Sequence, residues 1–121
     1  MEKLAKLRFL PFTEDDVNLL TYAMKSAFDA DGIAHLGRPA GPEGYEDGSF
    51  LRKYALDPGS DAYTVWLGQR AIGAAIVWPE AADTAFLGCV FLEAGYQKRG
   101  IGTQILRFLE AQYPQVRVRC V

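Results

Sequence analysis

Residues 85–110 constrain the fold of this 121-residue chain more than any other stretch. Phe86-Leu87-Gly88-Cys89-Val90-Phe91-Leu92 is an almost continuous apolar run, which suits a strand covered on both faces. Gly100 and Gly102 then bracket a tight turn. Ile101, Ile105, Phe108, Leu109 and Gln112 follow at helical spacing, with Leu106 widening the stripe. Tyr113-Pro114 ends that helix, because proline cannot continue it. A buried strand, a basic glycine turn and an amphipathic helix in series predict an α/β layer.

Such a turn is suited to binding an anion. The first amides of a helix have no partner within it. They point out of the N-terminus, where the helix dipole adds roughly half a positive charge. Gly100 and Gly102 leave room for a phosphate to approach the backbone, and Lys98 and Arg99 add charge beside the same point. Each amide bond to a charged oxygen contributes about 1.5–3 kcal/mol. Three or four of them would hold a pyrophosphate without a metal. A kinase-type phosphate loop is excluded, since no Lys-Ser/Thr pair follows the glycines. A dinucleotide-binding fingerprint fits poorly: its third glycine and its downstream ribose-binding acid are both missing.

Gln97-Lys98-Arg99-Gly100-Ile101-Gly102 resembles the Gln/Arg-x-x-Gly-x-Gly/Ala motif of the GNAT superfamily of N-acetyltransferases. Val90-Phe91-Leu92 ending the strand, and Tyr96 just before the motif, fit the same pattern. The specific motif covers about Val90 to Leu109, while the order of elements agrees over most of the chain. The resemblance implies acetyl transfer from acetyl-CoA to an amine, on a small molecule or a protein, by direct attack and with no metal. It implies that amides from Lys98 through Thr103 take the pyrophosphate of the cosubstrate. It also implies that the backbone at Phe91 and Leu92, with Glu93 adjoining, meets the pantetheine arm and the thioester. The cosubstrate-binding set expected by resemblance is therefore Phe91, Leu92, Glu93, Gln97, Lys98, Arg99, Gly100, Ile101, Gly102 and Thr103.

The length fits a single domain spanning residues 1–121, and half of the residues are apolar, enough for one core. A net charge of −2 gives no general drive toward nucleic acid. No apolar run approaches the length of a membrane span, and Met1-Glu2-Lys3-Leu4-Ala5-Lys6 lacks the features of a signal peptide. A cytoplasmic protein is expected, with Cys89 and Cys120 as free thiols.

Lys6 to Phe12 reads as a first strand. Thr13 caps a helix carrying Val17, Leu20, Met24, Ala27 and Phe28 on one face, with Glu14, Asp15 and Asp16 in its first turn. Asp29 to Asp47 reads as irregular, because Gly32, Gly37, Pro39, Gly41, Pro42 and Gly44 are all turn formers. A loop this long suggests function, and in the family this region shapes the acceptor site. His35 alone in it is no sign of catalysis. Ser49 to Leu56 reads as a short helix, and Asp61 to Leu67 as a strand. Gly68-Gln69 is a hairpin turn, and Arg70 to Trp78 pairs back across it. Residues 79–83 turn the chain into the central strand. Val116 to Val121 alternates as a half-buried strand, with Arg117 and Arg119 on its wetter face. The expected fold is α/β: a mixed, mainly antiparallel sheet flanked by helices, matching the first five strands and three helices of the GNAT architecture.

The amine must be neutral to attack, so a base or a water relay should take its proton. Some family members carry a Glu or His on the central strand nine or eleven residues before the motif. Those positions here hold Gly88 and Phe86, neither of which titrates. Glu93, Tyr45 and Glu46 remain as candidates for a base, and no residue is assigned a catalytic role. The family's usual acid is a tyrosine on a fourth helix. The chain ends at Val121, so that helix and the last two strands are expected to be missing, and the edge of the last strand is expected to pair with another copy. A catalytically degenerate acyl-CoA-binding or partner-docking module is the alternative reading.

Overall fold

The computed structural model describes residues 6–81 and 84–118. Five strands form one sheet: β1 (Leu7–Pro11), β2 (Asp61–Leu67), β3 (Arg70–Ala81), β4 (Thr84–Leu92) and β5 (Gln115–Val118). Their order across the sheet is their order in the chain. The first four run antiparallel, with Leu7 opposite Leu67, Tyr63 opposite Ala75, and Ile76 opposite Cys89. β5 returns parallel to β4, from Thr84 opposite Gln115 to Leu87 opposite Val118. Two parallel neighbours need a crossover, and α3 (Ile101–Gln112) supplies it.

Both faces of the sheet are covered, which explains the apolar run in β4. On one face lie α1 (Glu14–Leu36) and α2 (Ser49–Tyr54), whose Val17, Leu20, Met24 and Leu51 pack against Ala71, Ala74, Ile76 and Phe91. On the other face Ile101, Ile105 and Leu109 of α3 pack against Val65, Ile72, Val77 and Leu87. Alternate residues of β3 thus serve different layers. Leu20, Met24, Leu51, Ile72, Ile76, Ile105 and Leu109 are fully buried, each contributing about 1.5–3 kcal/mol. Asp16 is buried at the start of α1. Its carboxylate accepts from the Thr13 amide at 2.9 Å and from the Thr64 hydroxyl at 3.0 Å, and so ties the helix to β2.

Several boundaries differ from expectation, each for a local reason. α1 does not stop at Asp29 but continues to Leu36. Gly32 does not break it. A Cβ there would lie 2.6 Å from both Ala40 N and Arg38 O, so the glycine allows the returning chain to cross close over the helix. The helix ends at Gly37, whose positive φ of 75° and N–H bond to Ile33 O close the last turn. The irregular segment is therefore only residues 37–48. α2 stops at Tyr54 rather than Leu56. β3 runs on through Pro79 to Ala81, with a register shift at that point, where the sequence predicts a turn from Pro79. The rest of that turn, residues 82–83, lies outside the described residues, as do Arg119, Cys120 and Val121. Among the described residues, no helix is long and apolar enough to cross a membrane.

Candidate functional site

The glycine turn joins the end of β4 to α3. After Leu92 the chain makes a single 3-10 turn, Ala94–Tyr96. Gln97 is extended, Lys98 takes a positive φ of 63°, and Gly100 caps α3 in the left-handed region at φ 81°. The turn is held from below. The Ala94 amide donates to Ser26 Oγ on α1 at 3.0 Å, and Gln97 Nε2 donates to Leu92 O at 2.9 Å. Glu93 donates its amide to Ile72 O, while its carboxylate accepts both its bonds from Arg70 at 2.9 and 3.0 Å. The guanidinium groups of Arg70 and Arg99 each lie over the Tyr96 ring, 5.9 and 5.3 Å from its centre.

Among the described residues, the amides of Lys98, Arg99, Gly100, Ile101, Gly102 and Thr103 have no hydrogen-bond partner within the chain. They gather where the dipole of α3 is positive. Ile101 is buried and anchors the first turn, while the residues on either side of it are exposed. The two motif glycines play different parts. Gly100 is required by its backbone angle. Gly102 is an ordinary helical residue, and a Cβ there would meet nothing within 4 Å. Among the described residues nothing asks for glycine at 102, and the space beside it is open.

Beside the turn is a cleft of about 340 Å³. One wall is α1, with Ala27, Phe28 and Asp31; the other is the end of β4, with Val90, Phe91 and Leu92; Gln97 closes one side. One feature interrupts β4 there: Ile76 pairs with Cys89 and Val77 with Leu87, so Gly88 is the extra residue of a bulge. Among the described residues, β4 pairs with β5 from Thr84 to Leu87. Gly73 lets β3 approach the end of β4: a Cβ there would lie 2.2 Å from Phe91 O. An isolated glycine inside a strand was the available sequence signal for this contact.

The structure thus brings Phe91, Leu92, Gln97 and the residues 98–103 around one cleft and one turn, with Glu93 between them. Glu93 is engaged by Arg70, and Glu46 lies exposed in the segment after α1. Tyr45 is buried. Its hydroxyl donates to Asp29 Oδ1 at 2.6 Å, and this bond, with burial, pushes its pKa up to about 12. A phenol held neutral in this way anchors the segment to α1 rather than serving as a base. Asp29 also accepts from Lys25 at 2.5 Å; that bond first, and the Tyr45 bond second, hold it below the usual carboxylate range. The stabilisation from Tyr45 is complete below the ordinary value of 10.0 and is lost as pH rises through about 12. The contribution of Asp29 is present above the usual carboxylate value of 3.8 and is lost as pH falls through its lowered one. An absorbance titration of tyrosinate is expected to move Tyr45 back toward 10.0 in Asp29→Asn. An unchanged titration would contradict this anchoring.

Gly88, one of the strand positions that could have carried a titrating side chain, is covered by an indole. A Cβ there would lie 2.7–2.8 Å from three ring atoms of Trp78. Cys89 beside it is a free thiol whose pKa burial pushes up to about 11. Asp31 escapes sequence reasoning, which places it in a loop. Once α1 extends to Leu36, it stands one turn beyond Ala27 on the cleft wall. Among the described residues no three His, Cys, Asp or Glu side chains are grouped as a metal site.

The acetyltransferase (GNAT) family profile matches residues 18–121. An acetyltransferase from Thermus thermophilus has the same fold at a TM-score of 0.70 and 27% identity, over 97% of this chain and 76% of its own. The PaiA N-acetyltransferase of Thermoplasma acidophilum, solved in complex with coenzyme A, superposes with a TM-score of 0.68 at 14% identity, over 88% of this chain and 70% of its own. A GNAT family acetyltransferase from Elizabethkingia anophelis with acetyl-CoA bound gives a TM-score of 0.51 at 16% identity, over 87% and 56%. No curated protein matches the chain.

Proposed function

The chain belongs to the acetyltransferase (GNAT) family, and on that footing we propose that it transfers an acetyl group from acetyl-CoA to the nitrogen of an amine acceptor. One observation carries the reading: six adjacent amides without partners among the described residues, at a helix N-terminus beside an open Gly102, directly next to a cleft at the end of β4.

The amides of Lys98 through Thr103 hold the pyrophosphate, with Ile101 seated in the core to fix the first turn of α3. Lys98 and Arg99 supply charge, and the Arg99 guanidinium rests over the Tyr96 ring. The backbone at Phe91 and Leu92 borders the pantetheine arm at the end of β4. Gln97 acts through the Leu92 carbonyl and sets the path of the turn. Glu93, paired with Arg70, fixes the exit of the strand. Acetyl-CoA supplies the acetyl group as a thioester. In the transfer a carbon–nitrogen bond forms and the carbon–sulfur bond breaks. The nitrogen gives its proton to water in the cleft, and the departing sulfur takes one up.

A second reading has its own observation. With Trp78 over Gly88, β4 offers no titrating side chain at that position, which suits a module that binds an acyl-CoA without turning it over. Release of free thiol from acetyl-CoA across a panel of primary amines separates the two. Saturable release with any of them supports the transferase. Tight acetyl-CoA binding with no release from any amine supports the binding module.

A further inference from the structure

The cleft is apolar on nearly every side, and among the described residues one ionisable side chain lines it. Phe28 and Ala27 on one wall face Val90, Phe91 and Leu92 on the other, and Asp31 is the only side chain among these that carries charge. Its Oδ1 lies 3.1 Å from His35 Nδ1, one turn further along α1. No partner is present for its Oδ2 among the described residues. An apolar slot with a carboxylate on one wall is complementary to an alkyl chain that ends in a cation. The volume, about 340 Å³, is at the small end of ligand sites, which run roughly from 300 to 1,000 Å³. It suits a short flexible molecule rather than a folded surface.

The position of the carboxylate says which cation it meets. On the acetyl-transfer reading above, on which this inference rests, the reacting nitrogen must reach the β4 wall and must be neutral. Asp31 stands on the opposite wall and would stabilise a charged nitrogen, not a neutral one. The two requirements fall on different nitrogens. We infer that Asp31 is a specificity residue that anchors a second positive charge on the acceptor, so that the preferred substrates are linear diamines and related alkylamines with a cation at the far end. Phe28 and Phe91, on the α1 face of the sheet, cover the methylene chain between the two nitrogens, and His35 holds the Asp31 carboxylate in place.

The test compares kcat/KM for a linear diamine and for the linear monoamine of the same carbon count, with acetyl-CoA saturating. Both side chains of the Asp31–His35 pair are about 70% exposed, so solvent screening limits the gain. A preference of at least about fivefold for the diamine is expected. In Asp31→Asn the ratio is expected to fall to near one through a rise in KM for the diamine. In Asp31→Glu it is expected to survive in part. Acetyl-CoA affinity, measured by calorimetry in each variant, should not change. Equal kcat/KM values in the wild type, an Asp31→Asn protein that keeps the preference, or acetyl-CoA binding without turnover of either amine would each overturn the inference. A failure to bind acetyl-CoA at all would instead overturn the reading beneath it.

Discussion

Glutamate in place of Gly102 is expected to weaken acetyl-CoA binding by at least about a hundredfold and to leave the fold intact. The two halves of that result come from the same fact. A Cβ at position 102 meets nothing within 4 Å, so the new side chain displaces no protein atom. A carboxylate in the first turn of a helix also suits the dipole, to the extent of about 0.3–1 kcal/mol. The same carboxylate stands beside the amides of Lys98 through Thr103, and on the proposed function it brings negative charge against the pyrophosphate they hold. Loss of two charge-assisted bonds, at about 1.5–3 kcal/mol each, already exceeds a hundredfold. Circular dichroism and thermal unfolding should match the wild type while calorimetry loses the ligand. A folded Gly102→Glu protein of unchanged affinity would place the phosphates elsewhere.

Gly88→Glu is expected to do the reverse, damaging the fold without creating a base. The added Cβ would sit 2.7–2.8 Å from the Trp78 indole, closer than such atoms approach. Trp78 cannot withdraw freely, because it packs edge-on to Tyr54 at 6.4 Å and belongs to the α1 side of the core. Overpacking costs about 1–3 kcal/mol, and a carboxyl forced into the same space adds a similar amount. For a domain of this size the combined loss should lower the melting temperature by about 10 °C or more. Replacing Trp78 by alanine in the same chain should recover part of that loss by opening the space. A Gly88→Glu protein as stable as the wild type and faster in thiol release would show that the indole does not fill this position.

Where one physical cause sufficed, the residues alone disclosed the structure. Asp61 to Leu67 is rich in β-branched and aromatic residues and is stopped by Gly68, and β2 has those bounds. Ile101, Ile105 and Leu109 share one helical stripe, and all three are buried under the sheet. Where two causes competed, the sequence was ambiguous. Gly32 can end a helix or admit a crossing chain, and only the path of residues 38–40 decides between them. That single ambiguity hid the last two turns of α1, and with them the place of Asp31 on the cleft wall. Gly88 posed the same problem. Its missing side chain looked like a lost catalytic group, whereas the contact with Trp78, ten residues earlier and across a strand pair, accounts for it by packing. Pro79 likewise reads as a turn, although an irregular strand can carry it past a register shift. The glycine turn was legible because its backbone groups and glycines lie close together in the chain. The cleft was not, because its walls come from a helix and a strand some sixty residues apart.

Binding of the acetyl-CoA phosphates at the turn of residues 98–103 is tested most directly by titration calorimetry of the wild-type chain with acetyl-CoA, run at low and at raised salt. Saturable binding of one ligand per chain is predicted. It should weaken as salt rises, since Lys98 and Arg99 are exposed charges screened over about 8–10 Å. No heat of binding at millimolar acetyl-CoA, from a protein that is folded by circular dichroism, would contradict it.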